Sequence, residues 1–319
     1  MRANTLAIAF VAGLCALAAS NQADAFCRTT TCQNCPQPLN GCVTSGIPIF
    51  WAESCVGYDL QRDASAQVPL DTATQIAAQA FSHWQDVLCP DADTPPSIRF
   101  TDLGPVNCGR AEFNDPREPT PNQGGNANII VFRDATWDHT NTYDPTSTLA
   151  LTTVTYSAIT GRIYDADIEL NGQLPLDASG SPRPDAFDLE SVLTHEVGHF
   201  LGLAHSNLPC DAECPAMHAS YTRGSIASRT LKADDIAGIC TIYPPDRTHT
   251  SDTCLPMGGH SSECGSAQPI VSPTNNGSGC AIAFSRQDSH ADALPFVAVW
   301  AIIAPIALRN RRGSGSRLK

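Results

Sequence analysis

The residues with the clearest chemical potential are three histidines in the segment THEVGHFLGLAH, which runs from Thr194 to His205. His195 and His199 are four residues apart, so on a helix both imidazoles project from one face, one turn apart. Gly202 tolerates a positive φ, so the helix can stop there and the chain can bend to bring His205 round as a third ligand. The spacing therefore predicts a three-histidine zinc site.

Glu196 lies beside the first of these histidines and is not needed as a ligand. Three neutral imidazoles leave a fourth position for water, which is typical of a catalytic zinc site rather than a structural one. Zinc lowers the pKa of such a water to about 7 and polarises a carbonyl. Glu196 is placed to accept the proton and to pass it to a leaving amine. The predicted chemistry is amide hydrolysis without a covalent acyl-enzyme.

Helices and short strands are expected to position this motif. Asp185 or Asp188 can cap a helix over about 189–202 that carries the motif. Apolar residues at helical spacing predict two more helices, over 71–88 and 232–243. Runs of β-forming residues predict five strands, at 47–54, 97–101, 128–132, 150–156 and 162–170. Strands followed by two late helices indicate an α+β layer structure.

The composition limits the classes of function. The chain has 319 residues, 42% of them apolar, which is enough for a packed core. With a net charge of -13, the chain has no excess of basic residues to neutralise phosphate groups, so we expect no nucleic-acid partner. An acidic surface fits a soluble exported protein, and its carboxylates can bind calcium, although solubility alone is the simpler interpretation.

The N-terminus has the pattern of a signal peptide, predicted to cover residues 1–25. Arg2 gives the positive start, residues 6–19 form a short apolar run, and small residues at 23–25 precede the expected cleavage before Phe26. The protein is therefore expected to be exported.

The cysteines predict disulfides. Loss of Cys15 with the signal peptide leaves thirteen of the 14 cysteines, and in an oxidising compartment such residues pair. Twelve can pair, which leaves Cys280 odd. Cys32 and Cys35 have the spacing of half a zinc site, but the chain has no second such pair and no histidine nearby, so a disulfide is favoured.

The chain is expected to divide into six segments. These are a signal peptide (1–25), a Cys-rich N-terminal segment (26–46), the catalytic domain (47–245), a polar Ser/Gly/Pro linker containing Cys280 (246–292), a short transmembrane segment (293–308) and a basic cytoplasmic tail (309–319).

The C-terminal apolar run is followed at once by an arginine cluster, which stays on the cytoplasmic side of a membrane. Two interpretations are open. With the Gly-Ser-Gly-Cys280 string upstream, the region resembles the C-terminal sorting tags of myxobacterial surface proteins, with Cys280 as the processing or lipid-attachment residue. Alternatively it is a plain membrane anchor. Both attach the catalytic domain to the cell envelope, outside the cytoplasm.

The zinc motif and the residues after it resemble the metzincins and, among these, bacterial matrixins. HEVGHFLGLAH is similar to their extended zinc motif, and CPAMHASY is similar to their Met-turn, which implies that Met217 underlies the metal without binding it. Tyr221, four positions after this Met, and Ser206, directly after the third histidine, are matrixin-like. Asp234 and Asp235 match that family's acidic pair.

The resemblance covers about 200 residues. It implies a metzincin-like catalytic domain with a twisted, mostly parallel mixed sheet, an antiparallel edge strand within 149–156, long helices and zinc in a cleft. An extended substrate would pair with the edge strand. Tyr221 is then a candidate for the substrate wall. His195, His199 and His205 are the implied zinc ligands.

Asp165 and Asp167 alternate on a predicted strand, near the place where matrixins bind structural calcium. Calcium ligation and plain solvent-facing carboxylates are equally consistent with this pattern. The chain also departs from the family. The latency cysteine of animal matrixins, in a Pro-Arg-Cys-Gly-type segment, has no counterpart here, and His218 and Ala219 stand where matrixins carry an aromatic residue and a proline.

The leading hypothesis is a secreted or surface-anchored zinc metalloendopeptidase, monomeric, that hydrolyses proteins or peptides. One alternative is a non-catalytic zinc-containing surface protein that binds a partner. Such a site would have a fourth protein ligand and no need of Glu196. Another alternative is a zinc hydrolase of a non-peptide substrate, against which the expected edge strand and open cleft favour a peptide.

Overall fold

The computed structural model describes residues 26–32, 35–36, 41–117, 125–137, 139, 144–208, 210, 214–263 and 296–302. This part of the chain contains ten strands and three α-helices. In order they are β1 (Cys27–Arg28), β2 (Cys55–Gln61), α1 (Leu70–Gln85), β3 (Arg99–Val106), β4 (Ile129–Phe132), β5 (Ala150–Ser157), β6 (Ile163–Leu170), β7 (Leu176–Asp177), β8 (Phe187–Asp188), α2 (Leu189–Phe200), β9 (Leu203–Ala204), a 3-10 turn (Ala227–Arg229), α3 (Ala233–Ile242) and β10 (Phe296–Ile302).

Six of the strands form one mixed sheet in the order β10-β5-β6-β4-β2-β3. β6, β4, β2 and β3 run parallel, whereas β5 is antiparallel to β6 and β10 is antiparallel to β5. This confirms the predicted α+β class and the mostly parallel sheet with an antiparallel strand at one side. The expectation that the edge strand lies within 149–156 is wrong, because β10 lies outside β5 and adds an edge strand that was not predicted.

The main core lies between the sheet and the helices α1 and α2. Apolar side chains of α1 at helical spacing, including Phe81 and Trp84, are fully buried there. Trp84 Nε1 donates a hydrogen bond to the backbone oxygen of Thr194 at 2.8 Å, and the ring of Phe81 meets that of Phe200 edge-on at 5.4 Å. Burial of each such side chain stabilises the fold by about 1.5–3 kcal/mol. α2, which carries the histidine motif, is thereby fixed against α1 at two points along its length.

The first predicted strand was placed wrongly. Residues 47–54 form only isolated bridges, Thr30 with Pro48 and Phe50 with Arg162, and the strand follows them as β2. β2 escaped prediction because Gly57 and a buried aspartate interrupt its apolar run.

That aspartate, Asp59, lies on the sheet face opposite α1, since neighbouring Tyr58 stacks on Phe81 of α1 at 4.1 Å and successive side chains of a strand alternate. His260 contacts the Asp59 carboxylate at 2.7 Å. Cys254 is joined by a disulfide to Cys55 at the start of β2. Residues 246–263, the first part of the segment predicted to be a linker, therefore lie against this face of the sheet.

The apolar segment at 293–308 is described only over β10. It is a strand there, paired with β5 from Phe296 opposite Ser157 to Ile302 opposite Leu151. In the described part of the chain, none of the helices has the length and apolar character needed to cross a membrane. Over Phe296–Ile302 the predicted transmembrane segment is therefore a strand, a form that its β-branched and aromatic residues favour. The signal peptide, Cys280 and the basic tail at 309–319 fall outside the described residues.

Disulfides confirm the interpretation of the cysteines. The described pairs are Cys27–Cys42, Cys32–Cys35, Cys55–Cys254, Cys89–Cys240 and Cys210–Cys214. Cys108 is disulfide-bonded as well. The Cys32-x-x-Cys35 pair is thus a disulfide and not half of a zinc site.

Candidate active site

The three histidines of the motif converge on one point. Nε2 of His195 lies 3.0 Å from Nε2 of His199, which lies 3.2 Å from Nε2 of His205. Three nitrogens at bonds of about 2.0–2.1 Å in a tetrahedron are about 3.3 Å apart. The spacing therefore fits a single zinc ion bound through the three Nε2 atoms, and the set is one of two potential metal-binding groups in the described residues.

The protonation of the imidazoles also fits a metal centre. Nδ1 of His195 lies 2.7 Å from the carbonyl oxygen of Ala216, and Nδ1 of His199 lies 2.9 Å from that of Leu203. A carbonyl oxygen only accepts, so each Nδ1 donates and each Nε2 presents its lone pair to the centre. Burial lowers the pKa of all three histidines, that of His199 to about 4, so they are neutral near pH 7.

Gly202 turns the chain toward the third histidine. Its φ is +94°, and a Cβ there would lie 2.7 Å from the backbone oxygen of Ile49. The Gly202 N–H donates to the backbone oxygen of His199 at 2.9 Å and closes the end of α2. The chain then runs into β9, which pairs with β1 and places His205 beside the helix. The start of α2 is capped as predicted, because the Asp188 carboxylate accepts a hydrogen bond from the Ser191 N–H at 2.9 Å.

Met217 lies under the helix. It is buried, and a Cβ at Gly198 of α2 would overlap its Sδ, so the sulfur packs directly on the helix backbone beside His199. The backbone oxygen of Met217 accepts a hydrogen bond from the Ser206 N–H at 2.9 Å. The turn at Met217 and the segment that follows His205 are therefore joined by a hydrogen bond.

Two acidic residues of α3 fix this arrangement. Asp235 accepts hydrogen bonds from the N–H groups of Ala216 and Met217, at 2.8 and 3.0 Å. Asp234 accepts one from the Ser206 hydroxyl at 2.6 Å. The acidic pair, noticed in the sequence only as a resemblance, thus supports the third histidine and the methionine turn.

Glu196 is completely buried beside the histidines. Its Oε2 accepts a hydrogen bond from the Thr152 hydroxyl at 2.6 Å, whereas no described residue donates to Oε1. Burial raises its pKa to about 8 in the metal-free chain, although the Thr152 bond opposes the shift. Thr152 was missed, because only the folding of β5 against α2 brings it here.

Tyr221 closes another side of the site. Its ring lies 5.3 Å from that of His195 and is tilted by 60°. Burial and the nearby Glu196 carboxylate raise the pKa of Tyr221 well above 10, so the phenol stays protonated. Among the described residues, none bonds its hydroxyl. The geometry allows this hydroxyl to act as a donor at the site.

Asp165 and Asp167 are placed elsewhere, inside the sheet. Both are buried, so the interpretation as solvent-facing carboxylates is wrong. Asp167 Oδ1 accepts a hydrogen bond from the Ile129 N–H at 2.9 Å, and the two carboxyl groups bond to each other. Burial raises both pKa values, that of Asp165 to about 8.

Neither aspartate belongs to a three-residue metal group within the described ranges. The second such group consists of Cys210, Cys214 and His218. Its two cysteines are already joined in a disulfide and so offer no thiolate to a metal.

Comparison with known proteins agrees with this geometry. The sequence matches the family described as Matrixin over residues 50–244, more than half of the chain. It is 36% identical over 100 residues to Metalloendoproteinase 1-MMP of Arabidopsis thaliana, covering 28% of this chain and 26% of that protein. It is 40% identical over 78 residues to Matrix metalloproteinase-16 of Homo sapiens, covering 24% of this chain and 12% of that protein.

Metalloendoproteinase 1 of Glycine max is 40% identical over 67 residues, which cover 21% of this chain and 20% of that protein. The chain thus spans about a quarter or less of the length of these curated relatives. Because the family match covers most of the described domain, including the histidine centre, the methionine turn and the acidic pair of α3, this chain belongs to the matrixin family.

Proposed function

We propose that this chain is a zinc-dependent endopeptidase that hydrolyses proteins or peptides outside the cytoplasm. One observation carries the proposal: the Nε2 atoms of three neutral imidazoles converge next to the buried carboxylate of Glu196. One oxygen of this carboxylate has no donor among the described residues and is left for proton transfer. His195, His199 and His205 would hold the ion, and Glu196 would serve as the general base.

Zinc bound to the three imidazoles would polarise the scissile carbonyl and acidify the attacking water. Glu196 then accepts the water proton at Oε1 and delivers it to the nitrogen of the leaving amine. The pKa of about 8 that burial gives this carboxyl falls next to a divalent cation, which favours the ionised base near pH 7. Tyr221, protonated and beside His195, is placed to donate to the oxygen that becomes negative.

An extended polypeptide is the substrate that this site accommodates best. β5 runs past Glu196, and its outer side pairs with an extended segment, β10, along seven residues. A substrate chain adding to the same side would make the same main-chain hydrogen bonds, independent of its sequence. A scissile bond in a substrate segment that pairs with β5 at Thr152 would then lie near the three histidines. We therefore expect the binding partner to be a protein or peptide substrate, bound by a monomer.

Export and attachment to the cell envelope belong to the same proposal. The disulfides support an oxidising compartment. The signal-peptide pattern at 1–25 supports export, and the arginine cluster after the C-terminal apolar run supports a surface anchor or sorting tag. Structural calcium at Asp165 and Asp167 stays a prediction, which a melting curve with and without millimolar calcium would test.

The test of the function uses the full chain expressed for export, beside Glu196→Gln. Zinc is measured in both proteins, and hydrolysis is measured on denatured casein and on a quenched-peptide library. We expect about one zinc per chain in both proteins, and cleavage by the wild type alone, abolished by a chelator and restored by zinc.

Two results would contradict the proposal in different ways. Zinc in both proteins with no cleavage of any substrate would favour the alternative of a non-catalytic binding protein. A wild type without zinc would show that the three histidines do not form a metal site at all.

A further inference from the structure

We propose that Thr152 is a positioning residue for the general base: its hydroxyl holds Oε2 of Glu196 so that Oε1 faces the reacting water. The proposal rests on the function proposed above and adds a residue that neither the motif nor the resemblance includes. Thr152 lies on β5, 44 positions before Glu196 in the chain, and both residues are fully buried.

The hydrogen-bond distances assign the hydroxyl proton to the carboxylate. Thr152 Oγ1 lies 2.6 Å from Glu196 Oε2 and 3.4 Å from the backbone oxygen of the same residue. A hydroxyl has one proton and donates it to one acceptor at a time. The shorter distance is that of a charge-assisted bond, whereas the longer one is near the limit of a hydrogen bond. The bond therefore orients the side chain and does not merely join the strand to the helix.

The two carboxylate oxygens are left with different tasks. Oε2 is engaged, and among the described residues no donor reaches Oε1. A carboxylate without an anchor rotates about its last side-chain bond, and an anchor on one oxygen fixes where the other one points. Proton transfer requires an oxygen within about 2.6–3.2 Å of the proton donor. The anchor thus contributes to the rate without touching the substrate.

Thr152 is itself held rigidly. It pairs with Ile168 in the antiparallel ladder between β5 and β6, and a β-branched side chain on a strand has few χ1 rotamers. The other side of the same residue faces Ala301 of β10. The strand that receives an extended segment is therefore the strand that orients the base.

The experiment compares full-length Thr152→Val, which removes the hydroxyl at nearly constant shape, with Thr152→Ser, which keeps it. Thr30→Val is the matched control, since Thr30 is also buried and its hydroxyl donates to the backbone oxygen of Ser45 at 2.7 Å, away from the site. Zinc content, melting temperature, kcat and KM are measured for each, on the peptide that the wild type cleaves best.

We expect Thr152→Val to keep one zinc per chain and to lower kcat about 10- to 100-fold, with KM changed by less than about threefold. Thr152→Ser should stay within about threefold of the wild type, and Thr30→Val should retain the wild-type kcat. A Thr152→Val enzyme with wild-type kcat, or a Thr152→Ser enzyme as slow as Thr152→Val, would overturn the proposal. Loss of zinc from Thr152→Val would also overturn it, because the hydroxyl would then be needed to keep the zinc site intact and not to orient the base.

A second readout does not depend on activity. Crystal structures of the zinc-loaded wild type and Thr152→Val should show the Glu196 carboxylate in one orientation in the former and turned or divided between orientations in the latter. An unchanged carboxylate in Thr152→Val would refute the positioning role even if the wild type cleaved no substrate. If the wild type cleaves nothing but the Glu196 carboxylate is turned in Thr152→Val, the positioning role stands and only the endopeptidase function is refuted.

Discussion

The carboxylate of Asp235 and the backbone of Met217 are joined by a hydrogen bond of 3.0 Å, from the Met217 N–H to Asp235 Oδ1. Oδ2 of the same carboxylate accepts from the N–H of Ala216 at 2.8 Å. Ala216 also supplies the carbonyl to which His195 donates. A carboxylate on α3 therefore determines the orientation of a histidine on α2, through a turn that neither helix contains.

Asp235→Asn is expected to destabilise the protein by about 2–4 kcal/mol, because a buried acceptor of backbone N–H groups is replaced by an amide that also carries two donors. Zinc affinity should fall as well, since the Ala216 carbonyl is no longer fixed. Chemical denaturation and competition with a zinc indicator measure the two effects. Asp246→Asn, at an exposed position nearby, should change neither, and equal effects of both substitutions would contradict the assignment.

Gly202→Ala should lower the zinc affinity more than it lowers the free energy of unfolding. Alanine rarely adopts a φ of +94°, and its Cβ would lie 2.7 Å from the oxygen of Ile49, so the segment leading to His205 must shift. Zinc content after dialysis against a mild chelator measures the effect. Gly180→Ala is the control, because a Cβ there meets nothing within 4 Å. Full retention of zinc by Gly202→Ala would mean that the turn tolerates a side chain.

The Asp165 carboxyl predicts a pH dependence of stability. Burial raises its pKa to about 8 from the model-peptide value of 3.8, so the folded chain holds a proton that the unfolded chain releases. Its contribution to stability is complete below about pH 4 and is lost as the pH rises through about 8, by up to about 1.4 kcal/mol per pH unit. The stability of the wild type relative to Asp165→Asn should therefore decrease over this window.

Denaturation by urea from about pH 5 to about pH 8 measures the difference, with the exposed Asp63→Asn as control. A constant difference between wild type and Asp165→Asn would show that Asp165 does not carry a shifted proton. Calcium that binds to the Asp165 and Asp167 pair must displace this proton, so any stabilisation by calcium should grow as the pH rises.

The proposed substrate would compete with β10 for the same side of β5. Every residue of β5 from Leu151 to Ser157 is already opposite a residue of β10. Deletion of 293–319 should therefore lower KM for a peptide, whereas deletion of 309–319 alone, which leaves β10 in place, should not. Steady-state kinetics on one quenched peptide measures both, and equal KM values for the two deletions would show that β10 is no competitor.

Local patterns in the sequence were sufficient for much of the fold and site. β4, β5 and β6 lie within one residue of their predicted ends because each is a run of β-forming residues. Asp188 was one of two predicted caps of α2 and is the one that forms. The three histidines converge because a helical spacing of four and one glycine turn determine their geometry.

What escaped prediction depends on contacts between distant residues. Nothing around Thr152 distinguishes it from Thr153, and only the packing of β5 on α2 gives it a carboxylate partner. β2 contains a buried aspartate that is compensated by His260, about 200 positions away in the chain. Phe296–Ile302 forms a strand because β5 offers it a ladder, and a partner strand so far away in the chain cannot be identified from the local sequence.

The long disulfides have a consequence for the proposed peptidase when it meets copies of itself. Cys55–Cys254 and Cys89–Cys240 span 199 and 151 residues, and both enclose the zinc motif. Any single cut between residues 89 and 240 therefore leaves two fragments joined by at least these two disulfides. A nicked molecule keeps its halves in register and can survive self-digestion that would dismantle an uncrosslinked chain.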